Sequence, residues 1–116
     1  MNIPNEIDNL AAWINQLKLL AQDDLQQSDL ELISGSIEKF RKTWAERLMP
    51  EHVTPDDVGF ILHKLRTPFN TIVGLTQTGV IDIYSGLDEE QSNLYEQVYQ
   101  TGLAMLEHMK TIYTML

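Results

Sequence analysis

Cysteine is absent from the chain, which excludes a disulfide framework and any thiolate metal site and fits a reducing compartment. Long apolar runs are missing too. None approaches the roughly 20 residues that a membrane span requires, and no charged-then-apolar leader opens the sequence. A soluble, cytoplasmic protein is expected. Cations are scarce: eight Lys and Arg stand against 17 Asp and Glu, a net charge of −9. That field repels a phosphate backbone and disfavours anionic lipid surfaces, so neither nucleic acid nor a membrane is expected as a partner. No glycine-rich nucleotide loop is present. His52 and His108 have no companions at metal-ligand spacing, so no metal and no cofactor are expected. Strand signals are nearly missing as well, the one β-branched cluster being the short Val80-Ile81-Asp82-Ile83-Tyr84.

What is present is helical periodicity, in a chain of 116 residues that suffices for one modest core. The pattern reads as all-α. A first helix is expected from Pro4 to about Gln22, with Ile7, Leu10, Ile14, Leu17 and Ala21 as a seam stepping by three and four, widened by Trp13 and Leu20. Ser28 and Glu31 have capping-box spacing and place the start of a second helix. It runs to about Met49 on Leu30, Ile33, Ile37, Phe40, Trp44 and Leu48, and Gly35 inside it, at a cost of roughly 1 kcal/mol against Ala, is expected to allow a close helix approach; one bent helix over 4–49 is the alternative. Thr54-Pro55-Asp56-Asp57 combines a hydroxyl cap, proline at the first position and acids in the first turn. A third helix should follow to about Tyr84, loosened at Pro68. Asp88 and Gln91 then cap a fourth helix that continues to the last residue. Met105 and Met109 in its seam read as core filler.

The third helix carries the chemistry. At about 100° per residue, Thr67, Asn70 and Arg66 fall within about 60° of His63. Val58, Ile61, Leu65, Phe69 and Ile72 fall on the opposite side, with Leu62 and Val73 at its edge. The imidazole should therefore meet solvent beside a hydroxyl, an amide and a guanidinium, while the reverse of the helix packs.

His63, Leu65-Arg66-Thr67-Pro68-Phe69-Asn70 and Ile72-Val73-Gly74 together resemble the phosphoacceptor box of sensor histidine kinases. Leu87-Asp88-Glu89-Glu90-Gln91 and Thr101-Gly102 with Leu106 look like the second helix of the same dimerisation and histidine-phosphotransfer (HisKA-like) domain. The similarity covers about residues 55–116. It implies a helical hairpin over 54–116 that forms a four-helix bundle by twofold dimerisation, preceded by amphipathic helices over 1–53 that pack on it or extend it as a coiled coil. The seams are also wider than one partner helix covers, which favours a homodimer.

The resemblance further implies phosphoryl transfer in two-component signalling. His63 would accept the phosphoryl group and exchange it with an aspartate of a response-regulator receiver domain. Thr67 would orient water for dephosphorylation, and Arg66 and Asn70 would steady phosphate oxygens. Two departures matter. Lys64 stands where the family has Glu or Asp, and lysine, with an ordinary pKa of about 10.4, is no base at neutral pH; it would instead attract phosphate. The ATP-binding domain is absent, so no autokinase activity is expected. Three readings follow: a stand-alone phosphotransfer protein, a non-catalytic module that docks on a histidine kinase or response regulator, and a fragment of a full kinase.

Overall fold

A computed structural model describes residues 1–21, 23–48, 54–81, 84 and 86–114, with the side chains of 47, 48, 58, 61, 62, 65, 66 and 112–114 outside that description. Four long α-helices account for most of it: α1 (Ile3–Leu20), α2 (Asp24–Thr43), α3 (Val58–Val80) and α4 (Glu89–Thr114). A π-helical turn, Trp44–Leu48, extends α2, and a 3₁₀ turn, Pro55–Asp57, leads into α3. No strand occurs among the described residues.

The helix starts follow from local chemistry. Asn2 Oδ1 accepts the Asn5 N–H at 3.0 Å, with proline in the first turn of α1. The second helix begins one turn before the expected Ser28. Asp23 Oδ1 accepts the Gln26 N–H at 3.0 Å, and Asp23-x-x-Gln26 is itself a capping spacing. Starting there extends the apolar phase of α2 backward, so that Gln26 joins Leu30, Ile33, Ile37 and Phe40 on the buried side. At Thr54 the bond runs from the cap to the acid: the Thr54 hydroxyl and N–H both donate to Asp57 Oδ2, at 2.9 and 3.3 Å. Asp88 Oδ1 accepts the Gln91 N–H at 2.8 Å and caps α4 as expected.

Each helix packs against its neighbours in sequence, and α4 closes the ring on α1. The pairings are antiparallel. Lys18 reaches Glu31 at 3.3 Å and Arg41 reaches Asp8 at 3.0 Å across α1 and α2. Phe40 meets Phe69 edge-on across α2 and α3, ring centroids 4.8 Å apart at 71°, an arrangement worth about 0.5–1.5 kcal/mol beyond its buried area. The result is an up-down four-helix body, 47 × 21 × 20 Å.

One continuous core runs through it. Ile7, Leu10, Ile14 and Leu17 of α1 join Leu30, Ile33 and Ile37 of α2, Phe69 and Ile72 of α3, and Leu94, Val98, Met105 and Met109 of α4. Residues before and after position 53 thus share a core. Among the described residues, the buried apolar side chains of α3 and α4 share this core with those of α1 and α2 of the same chain.

Two expectations shift. The third helix ends at Val80, with Ile81 as its C-cap, and Tyr84 lies in the following turn. Gly35, expected to permit a close helix approach, is exposed with nothing within 4 Å of where a Cβ would stand. The close approaches lie elsewhere. A Cβ at Gly79 would overlap the Tyr95 ring, and one at Gly102 would stand 3.3 Å from Val73 Cγ2. Gly86, with φ of 136°, makes the turn into α4.

Candidate functional site

The histidine stripe of α3 faces solvent. Gly59, Phe60, His63, Lys64, Thr67, Asn70, Gly74 and Gln77 are all exposed, whereas Phe69, Ile72 and Thr76 on the reverse side are buried. His63, Thr67 and Asn70 therefore share one accessible face, with Lys64 at its edge. Arg66 belongs to the same helix by register, and its side chain lies outside the described residues.

Pro68 shapes the backbone beneath this face. It has no N–H, so the carbonyl of Lys64 loses its usual i+4 donor one residue beyond the histidine. The α-helix nevertheless runs through the proline from Val58 to Val80, with the Pro68 ring buried. Its packing offsets the missing bond. The Thr71 hydroxyl donates to the Thr67 carbonyl at 3.3 Å, which leaves the Thr67 and Asn70 side chains on the open face.

The Lys64 ammonium lies over the Phe60 ring, 5.2 Å from its centroid, and that ring is 57% exposed. A cation over an exposed aromatic face is held weakly, by about 0.5–1 kcal/mol. Lys64 makes no ion pair with a described residue. A positive charge there favours an anion close by.

A shallow groove of about 390 Å³ opens between α2 and α3 next to Asn70, lined by Leu32, Asn70, Thr71, Gly74 and Leu75. Leu32 is 57% exposed.

The far end of the bundle holds a polar cluster that sequence reasoning missed. Gln26 Nε2 donates to Gln91 Oε1 at 2.8 Å and to the Tyr95 hydroxyl at 3.1 Å. The Tyr84 hydroxyl donates to Asp29 Oδ2 and lies 3.0 Å from Thr78 Oγ1. Burial pushes the Tyr84 hydroxyl well above its ordinary pKa, and its bond to Asp29 adds to the rise. Burial likewise raises Tyr95. No buried side-chain polar atom among the described residues lacks a partner, so the cluster reads as a satisfied structural network. The available signal was Gln26, a polar residue in apolar phase with Leu30 and Ile33. A cavity of about 290 Å³ beside the network is lined by Leu20, Asp23, Gln26, Tyr84, Leu87 and Gln91.

Among the described residues, no His, Cys, Asp and Glu group has the geometry of a metal site, and no helix is long and apolar enough to cross a membrane. Of the other two histidines, His108 is half-buried on α4 and His52 lies outside the described residues. Comparison with protein-family models, with curated proteins and with solved structures found no match to this chain.

Proposed function

We propose that this chain is a histidine phosphotransfer protein, which takes a phosphoryl group on His63 from a phosphorylated receiver-domain aspartate and returns it to another. The observation that carries this reading is the placement of His63. It stands on the solvent face of a long helix whose reverse side is locked into the core by Phe69 and Ile72. Thr67 and Asn70 are exposed on the same face and Lys64 stands at its edge.

The chemistry needs little from the chain beyond position and charge. In the Nδ1–H tautomer the lone pair of His63 Nε2 attacks phosphorus. The N–P bond forms as the acyl-phosphate P–O bond breaks, and the donor aspartate departs as carboxylate. The ring keeps its Nδ1 proton and acquires the positive charge. The reverse step passes the group to a second carboxylate. In this reading Lys64 stabilises the phosphorylated form by its charge, the Thr67 hydroxyl one turn on is the nearer hydrogen-bond donor to the phosphate, and Asn70 stands two turns on. Four helices of one chain share the described core, and the chemistry itself does not require the twofold dimer that the sequence resemblance implies.

Lys64 also favours a second reading, a module that docks on a histidine kinase or response regulator without turnover, because it replaces the acid that the family carries beside its histidine. One experiment separates the two. The purified chain is incubated with receiver domains from the same genome, phosphorylated with labelled acetyl phosphate. Acid-labile, base-stable label on the chain, absent in His63→Ala, is expected. Binding of a receiver with no label on His63 would leave only the docking module.

A further inference from the structure

We infer that the face shared by α2 and α3 is the docking surface for the phosphate-bearing domain, with an apolar side chain of that domain in the Leu32 groove and its acidic groups against Lys39 and Lys64. The inference rests on the reading of His63 as phosphoacceptor, and adds where the partner sits and which residues outside the histidine motif hold it.

Register sets the face. Leu32 and Lys39 are seven residues apart on α2 and share one side of it. Phe40 packs on Phe69, so Lys39 stands level with the turn of α3 that carries Thr67 and Asn70. On α3, Lys64 and Thr71 are also seven apart, and Thr71 lines the groove with Leu32. Lys64 therefore flanks the side of α3 that faces α2. The groove begins at Asn70, seven residues or about 10 Å along the helix from His63. A protein surface that seats one side chain between Leu32 and Leu75 can present a second group to the imidazole.

Gly74 deepens this groove: nothing lies within 4 Å of where its Cβ would stand. A third apolar group, Phe60, lies exposed one turn before His63. Exposed leucine, phenylalanine and an open groove on one face are the features of a surface that another protein covers.

Charge selects the occupant. Six of the chain's eight cations, Lys39, Arg41, Lys42, Arg47, Lys64 and Arg66, fall in residues 39–66, against four acids there. The other 13 acids and two cations lie outside that segment. An acidic protein has thus gathered its positive charge at the C-terminal half of α2 and the N-terminal half of α3. Arg41 is engaged by Asp8 and Glu38. Lys39 and Lys64 make no ion pair with a described residue. A domain that presents a phosphorylated carboxylate brings negative charge to this spot; a second copy of this chain, itself at −9, is the competing occupant, and a dimer in sedimentation of the chain alone that Lys39→Glu dissolves would overturn the assignment.

The test uses the full-length chain and variants Leu32→Glu, Lys39→Glu and Gly74→Gln, with thermal melts confirming that each folds. Two phosphodonors are compared. Phosphoramidate, a small molecule, needs no docking surface; the phosphorylated receiver domains do. All variants are expected to take label from phosphoramidate at the wild-type rate. Receiver binding and transfer should fall about tenfold in Leu32→Glu and Gly74→Gln, and Lys39→Glu should slow association and flatten its dependence on salt. Receiver binding and transfer at wild-type rates in Leu32→Glu and Lys39→Glu would overturn the surface, as would failure of the wild-type chain to bind any receiver. If receivers bind and the variants weaken that binding, but no donor labels His63, the surface stands and the phosphotransfer reading falls.

Discussion

Among the chain's glycines, Gly79 has the least room for a side chain. A methyl group there would occupy the space of the Tyr95 ring, and Tyr95 is fully buried with its hydroxyl bound to Gln26. The ring cannot retreat without losing that bond. Gly79→Ala is expected to destabilise the fold by roughly 1–3 kcal/mol through overpacking, although alanine is the better helix former. Gly35 provides the contrast. It is exposed on α2 with nothing near, so Gly35→Ala should stabilise by about 0.4–1 kcal/mol. Chemical denaturation of both variants checks this, and equal shifts of one sign would refute the packing argument. In the sequence the two glycines look alike, each a weak point in a helical pattern. Only the ring from α4 distinguishes them.

At the scale of the elements, four helices were legible in the sequence, and so was their apolar phase wherever the side chains are described, because periodicity at three and four is a property of the chain itself. Every residue of the expected α1 seam is buried. Boundaries were less legible. Ser28 and Asp23 both offer a cap, and propensity alone does not choose between them. Tertiary packing chooses Asp23, because a helix that starts there brings Gln26 to its partners Gln91 and Tyr95. Asp23→Ala should therefore cost about 0.5–2 kcal/mol. Ser28→Ala, an exposed position inside the helix, should stay within about 0.5 kcal/mol. Urea midpoints measured side by side decide the matter, and a larger loss at Ser28 would return the helix start to it. The histidine stripe was equally legible: His63, Thr67 and Asn70 are exposed where their angles placed them. The groove beside them was not, since Leu32 lies 38 positions before Asn70 and reaches it only through the pairing of α2 with α3.

For the molecule as a whole, the polar network at the end away from His63 ties α2, the end of α3, the turn after it and α4 together. It also gives stability a pH signature. The Tyr84 hydroxyl is raised above its ordinary value of about 10 by burial and by Asp29. The folded state therefore holds a proton that the unfolded chain releases. The contribution is fully present below the unfolded pKa and is lost as pH rises from there toward the raised folded value. Melting temperature should begin to fall as pH approaches about 10 and go on falling above it. In Tyr84→Phe the fall should be shallower, starting from a lower melting temperature at pH 8 because Asp29 has lost its donor. Tyr95, raised in the same direction, keeps part of the slope in that variant. Parallel curves for the two proteins would show that Tyr84 is not the group that titrates.

By itself the sequence determined the helical class, the buried face of each helix where its side chains are described, and the exposure of His63, because each depends on spacing within one element. The tertiary structure decided what lies across from each face. It set α1 and α2 over the apolar sides of α3 and α4, placed Tyr95 against Gly79, and brought Leu32 and Lys39 alongside the histidine helix. Those outcomes depend on register between helices far apart in the chain. Register is set by the fit of whole surfaces, which no single stretch of sequence contains.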